Sequence, residues 1–482
     1  MFQLTRRSLA VTAALLLALS WTMTASAATL IKLSTDPYTN TSSQHQTEVE
    51  PDSFSYGSTV VMVTQVGRFT DGGSSNIGWA TSTDAGATWT NGFLPGITIY
   101  AGGIYARVSD PSVAYDAKHN VWLINSLPLT EPVKGAAVVV NRSTDGGLTW
   151  GNPINVSLAT GSSDYDKNWI ACDNGPASPF YGNCYVTWDN FGNGNRLLNS
   201  TSTDGGLTWG AAKATGNNAS GIGAQPLARP NGAVIVPADD TLGNVVVYNS
   251  TNGGSTWGRT KKIATVSEHG VAGGLRSGGL PSAEIDASGK IYLVWQDCRF
   301  ESGCSANDIV MTTSTTGSTW TAVTRIPIDT IGSSVDHFIP GIGVDRNTSG
   351  GSAHLGLTYY YYPAANCSAS TCQLYVGFVS STDGGATWSA KQTLAGPMTL
   401  SWLANTTQGR MVGDYVSTSF AGGTAHPAFA NANAPTGGTF DEALYSVVGG
   451  LTPRSGVNRV AADPVLSTSS DTAARGGPTT YR

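Results

Sequence analysis

The sequence predicts an all-β protein, a β-propeller of four-stranded blades, with seven blades favoured over six. The first observation is a recurrent motif. Ser82-Thr83-Asp84-Ala85-Gly86-Ala87-Thr88-Trp89 returns as Ser143-Thr144-Asp145-Gly146-Gly147-Leu148-Thr149-Trp150, as Ser202 to Trp209 and as Ser381 to Trp388. Two further copies, Ser250 to Trp257 and Thr313 to Trp320, carry Asn252 and Thr315 in place of the aspartate. The second is the spacing. Copies start at 82, 143, 202, 250, 313 and 381, and an interval of this size holds one four-stranded sheet. The third is composition. With 59 Gly, 13 Trp, 18 Tyr and only 12% charged residues, the chain is built for strands and turns.

Each motif follows a strand-like run, such as Ala136–Val140 or Leu374–Val379, and precedes another. It therefore sits on the hairpin between the third and fourth strands of a blade. Its glycines accept positive φ, its aspartate and serine can hold turn amides, and its tryptophan can pack between sheets. Asp84, Asp145, Asp204 and Asp383 are accordingly read as structural. First strands are predicted at Pro111–Asp116, Trp169–Asp173, Pro281–Asp286 and Pro340–Asp345, with weaker starts near Glu48, Gln225 and Asp414. That gives seven first strands for six motifs. The blade at about 410–450 lacks the motif, and its outermost strand is expected from Thr29–Ser34, which would remove an exposed sheet edge.

The ends read differently. Arg6-Arg7, the apolar run Leu9–Leu19 and Ala25-Ser26-Ala27 have the pattern of an export signal, compatible with general or twin-arginine export. Domain organisation is thus expected as a signal peptide at 1–27, one propeller at 28–451 and a loose tail at 452–482. Six cysteines fall into three close pairs, and local pairing is the simplest arrangement: Cys172 with Cys184, Cys298 with Cys304, Cys367 with Cys372. A net charge of −6 excludes a broad basic nucleic-acid face. No CxxC or HxxxH accompanies the cysteines, so no metal is expected.

The motif S-x-D-x-G-x-T-W resembles the Asp box, or BNR repeat, of the sialidase superfamily. The resemblance covers about residues 30–450. Asp166–Ala171 and Gly409–Tyr415 look like stretches of secreted bacterial proteins described as exo-α-sialidase-like. It implies a glycoside hydrolase acting on a terminal anionic sugar. Three arginines would hold the sugar carboxylate, a tyrosine activated by a glutamate would be the nucleophile, and an aspartate the acid/base. Two features depart from that pattern. The one Arg-Ile-Pro, Arg325-Ile326-Pro327, falls on an outer strand, and true sialidases have six blades.

In a propeller the loops entering the first strands, and those joining strands two and three, gather round a central funnel, opposite the motif hairpins. This places Glu48, Arg107, Asp110, Asp166, Lys167, Arg276, Asp336, His337, Arg410, Asp414 and Tyr415 at the funnel mouth, with Asp297 and Arg299 on the Cys298–Cys304 loop. Blade seven closes against blade one, which lets Glu48 approach Tyr415. The resulting expectation is Tyr415 as nucleophile, Glu48 as its base and Asp110 as acid/base. Arg107, Arg276, Arg299, Arg410, Asp166, Lys167, His337 and Asp414 would bind substrate. The run Tyr359–Tyr362 could stack sugar rings. The partner is an extracellular glycan or glycoconjugate met by a monomer, with no cofactor and no membrane span. Two other functions suit the same fold. A different glycan-active enzyme, such as a sugar lyase, needs a base near a cation without an activated tyrosine. A non-catalytic binding propeller needs funnel residues that pair off.

Overall fold

The computed structural model of the chain describes residues 28–456, 458 and 459. The export-like segment 1–27 lies outside the described residues. Strands fall into four-stranded antiparallel leaves, seven among the described residues. Blade one is Glu48–Tyr56, Thr59–Arg68, Ser74–Ser82 and Thr90–Phe93. Blade two is Arg107–Asp116, Val121–Leu129, Ala137–Ser143 and Ile154–Leu158. One bridge, Ser74 to Val108, joins these two leaves. Blades three to six have inner strands Tyr165–Cys172, Leu227–Ala228, Ser282–Ile285 and Asp336–Val344. In blade seven, Ser417–Ala421, Thr424–Thr436 and Thr439–Val447 are completed by the N-terminal strand Leu30–Lys32, with Leu30 opposite Val447. Inner strands adjoin in sequence order, and that of blade seven adjoins that of blade one.

The core explains why these runs form such leaves. Side chains alternate across a strand, so a leaf apolar on both faces must be covered on both. Val61 and Val63 pack with Trp122 and Ile124 of blade two, while Val60 and Met62 pack with Ala428 and Leu444 of blade seven. Leu293 and Trp295 face blade four; Tyr292 and Val294 face blade six. Each pair of successive leaves encloses its own apolar cluster, and the series returns to its start.

The repeat turns take the expected shape. Asp84 Oδ1 accepts from Ser82 Oγ at 2.8 Å and from the Thr88 amide at 2.8 Å, and Oδ2 accepts the Thr88 hydroxyl at 2.6 Å. The Thr88 hydroxyl and amide, with Ser82, hold this carboxyl down to about 2. Asp145, Asp204 and Asp383 make the same set. Asn252 keeps it with one bond reversed, its Nδ2 donating to the Thr256 hydroxyl at 2.8 Å. At the other degraded copy Thr316, beside Thr315, takes over, accepting the Ser318 and Thr319 amides. The three local disulfides are present.

The start of the tail differs from expectation. Arg454 exchanges two hydrogen bonds with Ser380, the Thr382 amide donates to Ser455 Oγ, and residues 458–459 pair with Thr387–Trp388. The edge of the blade-six turn offers unpaired backbone, and the chain leaving blade seven satisfies it. Residues 460–482 lie outside the described residues.

Candidate functional site

The inner strands enclose an axial channel with about 850 Å³ of atom-free space that includes its opening to solvent. Its funnel end is shaped by a repeated irregularity. The inner strands of blades one, two, three and six each carry a bulge, at Val49/Asp52, Ser109/Ser112, Asp166/Trp169 and Phe338/Gly341. The bulged residues Glu50, Asp110, Lys167 and Ile339 have φ of 56°, 48°, 42° and 50°. A bulge re-aims a side chain that the pleat would otherwise direct into a neighbouring leaf. Pro51, Pro111 and Pro340 follow three of these residues, where no ladder donor is needed.

The result is a buried ion cluster. Lys167 Nζ lies 2.6 Å from Asp110 Oδ1, 2.7 Å from Asp414 Oδ2 and 3.2 Å from Glu50 Oε1. Arg276 grips Asp414 through Nε at 2.8 Å and Nη2 at 2.5 Å. Gln65 Nε2 donates to Glu50 and, at 3.1 Å, to Ser109. All five charged residues are at most 4% exposed. Burial opposes the charges of Lys167, Asp414 and Glu50, and the partners outweigh it at the first two. Asp110, Asp414 and Glu50 push the Lys167 ammonium well above its ordinary value. Arg276 and Lys167 hold Asp414 well below the usual carboxylate range. For Glu50 burial wins, and its carboxyl is raised.

Below the cluster, Lys167, Asp414, Tyr415, Trp169, Asp52, Phe54 and Glu284 line the channel. Trp169 and Tyr415 meet edge to face at 5.0 Å between centroids. Burial pushes the Asp52 carboxyl up to about 7, against a 2.9 Å bond from the Val113 amide. The channel therefore holds two carboxyls of opposite habit, one kept ionised and one protonated near neutrality.

The structure brings Asp110, Lys167, Arg276, Asp414 and Tyr415 together as expected from their strands. Other expectations need correcting. Glu48 is not beside Tyr415. Its Oε2 accepts from Ser34 at 2.8 Å and it faces Lys32 and Glu442, because the bulge reverses the alternation after Val49. Glu50 takes the place beside Tyr415. The Tyr415 hydroxyl donates to the Pro111 carbonyl at 3.1 Å, and burial together with Glu50, Asp110, Asp52 and Asp414 pushes the phenol well above its ordinary value. That is the opposite of an activated nucleophile.

The arginine clamp is likewise not assembled. Arg107 is paired with Asp71 and Glu131 at the rim and lies over the Phe69 ring. Arg410 donates to the Leu403 carbonyl. Arg299 is doubly bound to Asp297. Asp166 accepts the Lys167 amide and faces Asp189 across the strand pair. Asp336 holds Asn307. His337 lies in the cluster between blades five and six, with Nε2 3.1 Å from Asp329 and its ring on Tyr359 and Tyr361. Tyr359 to Tyr362 are all buried, so none forms a sugar platform. Sequence reasoning missed Glu50, Asp52, Trp169 and Arg346. Aligning Glu50-Pro51 with Asp110-Pro111 would have found the first. Among the described residues, no group of three or more His, Cys, Asp or Glu is placed to hold a metal.

No family model matches the chain. One stretch of 119 residues is 32% identical to a sialidase of Bacteroides fragilis (strain YCH46), covering 21% of each protein. The chain thus spans about a fifth of the length of that curated relative. Among solved structures, an ulvan lyase from a new polysaccharide lyase family matches with a TM-score of 0.51 at 10% identity, over 88% of this chain and 96% of that one. A Hadza microbial sialidase matches with a TM-score of 0.43 at 18% identity, over 66% and 64%. The likeness to the ulvan lyase is one of fold, and the leaf topology among the described residues is that of a β-propeller.

Proposed function

We propose that the protein is a secreted carbohydrate-active enzyme, an exo-acting glycoside hydrolase whose substrate end enters the axial channel. One observation carries this reading. The channel is closed at the funnel end by the Lys167 cluster and lined by two carboxyls that the environment drives apart, Asp52 toward its acid form and Asp414 toward its anion. Carboxyls divided in this way can divide the work of glycoside cleavage. A blind channel admits a chain end, not a chain interior.

In this scheme the Asp52 carboxyl gives its proton to the glycosidic oxygen as the bond to the anomeric carbon breaks. Asp414, fixed by Arg276 and Lys167, stabilises the positive charge that develops on the sugar. Water then adds to the anomeric carbon and its proton returns to Asp52. Trp169 offers a ring against which the sugar can stack. The local match to a sialidase makes an α-linked sialoside the first substrate to try, while the unassembled arginine clamp argues against the Tyr415–Glu48 chemistry. Three disulfides support an oxidising, extracellular setting. Among the described residues no helix is long and apolar enough to cross a membrane.

The test is hydrolysis of fluorogenic sialosides, uronides and neutral glycosides by the purified protein, with product sizes measured on the natural polymer. Release of terminal sugar, lost in Asp52→Asn, is expected. Internal cleavage or an unsaturated uronate product would replace this reading with an endo-acting or lyase one.

A further inference from the structure

The channel has its opening on the face opposite the funnel. Turns between first and second strands share that face with the repeat motif, as the bond from the Ala85 amide to the Ser58 carbonyl shows. Arg346 belongs to such a turn in blade six. It reaches Glu284 of blade five, with Nη2 2.8 Å from Oε2, and its guanidinium lies 4.7 Å from the Phe54 ring centroid of blade one. It thus spans the mouth from blade six to both sides. Its side chain is 37% exposed and that of Glu284 19%, whereas Lys167, Asp110, Glu50 and Asp414 at the other end are no more than 3%.

Arg346 also differs from the other channel-end arginine in how much of it is engaged. Arg276 is held by two nitrogens on Asp414. In Arg346 one nitrogen is held, and among the described residues Nε and Nη1 meet no acceptor. A guanidinium has five donors in a fixed fork that suits a carboxylate. The aromatic face beneath it keeps it flat across the opening.

We infer that Arg346 is the specificity-determining residue of the channel mouth, receiving the acid group of a sugar that enters from the repeat-turn face. This rests on the exo-glycosidase reading above. Glu284 competes with the incoming carboxylate for the same guanidinium and releases it on binding.

The experiment is calorimetric titration of wild type, Arg346→Gln and Glu284→Gln with N-acetylneuraminic acid, glucuronic acid and glucose. A charge-assisted pair is worth roughly ten- to a hundredfold in affinity. Wild type should prefer the acids, Arg346→Gln should lose that preference by about this factor with glucose unchanged, and Glu284→Gln should bind acids as well or better. In turnover, Arg346→Gln should raise KM and leave kcat alone. Acids binding Arg346→Gln as tightly as wild type would overturn the inference while leaving the glycosidase reading intact. Turnover surviving Asp52→Asn would overturn that reading and leave the Arg346 binding result standing. No binding of any of the three sugars to wild type would overturn both.

Discussion

Lys167 of blade three reaches across the axis to Asp414 of blade seven, with Nζ 2.7 Å from Oδ2, and the same ammonium holds Asp110 and Glu50. One cation therefore ties three inner strands and the segment entering a fourth together at the closed end of the channel. Removing it would leave three buried carboxyls facing one another with the guanidinium groups of Arg276 and the buried Arg68 as the cations near them. Breaking a buried ion pair by deleting one partner costs about 3–5 kcal/mol, because the remaining charge stays buried. Lys167→Met should lose stability on this scale in denaturant unfolding. A loss below about 1 kcal/mol would mean that water or Arg276 compensates the acids.

Tyr415→Phe separates two chemistries. The hydroxyl donates to the Pro111 carbonyl and stands among carboxyls that oppose a phenolate. The variant should keep kcat within a few-fold and lose about 1 kcal/mol of stability, the worth of one buried hydrogen bond. Loss of all turnover with unchanged folding would restore tyrosine as nucleophile.

The seam between blades one and seven predicts a pH dependence. Glu48 and Glu442 are wholly buried, each with one unpartnered carboxylate oxygen, and burial pushes Glu48 up to about 8. Lys32, Asp36, Asp441 and Arg410 are the other charges around the pair. An acid whose folded value is raised binds more protons folded than unfolded. Stability is then greatest below the ordinary glutamate range and falls as pH rises toward about 8. Glu48→Gln should flatten this fall, melting above wild type at pH 8 and level with it at pH 5. Parallel melting curves at all pH values would contradict the assignment.

Gly413 has φ 141°, and a Cβ there would lie 2.8 Å from Glu50 Cα. The close approach lets blade seven deliver Asp414 beside Glu50. Gly413→Ala should therefore lower both melting temperature and turnover. Asp84→Ala, on a repeat turn, should lower the melting temperature through its lost turn bonds and leave kcat untouched.

The repeat and its spacing made the leaf architecture legible, and so did the resemblance of Thr29–Ser34 to an outer strand. The motif aspartates were legible because their bonds are local, within four residues. The site was read only in part. Asp110, Lys167, Arg276 and Asp414 come from counting strand starts, but Glu48 was chosen by assuming regular alternation, and one extra residue in each bulge moves the side chain two positions on. His337 and Arg107 stand near strand starts as required, yet their partners, Asp329 and Glu131, come from loops whose course no pattern fixes. The direction of the channel depends on which end the charge cluster seals, a tertiary fact absent from any one segment.

The central claim is that Asp52 protonates the leaving group inside the channel. The most direct test compares Asp52→Asn with wild type on an aryl glycoside and on the natural glycoside of the same sugar. A general acid contributes about 10²–10⁴-fold and matters most for a poor leaving group. Loss on this scale for the natural glycoside is predicted, with a smaller loss for the aryl one and no alkaline limb near pH 7 in the variant's profile. Equal, few-fold losses on both substrates with the alkaline limb retained would contradict it.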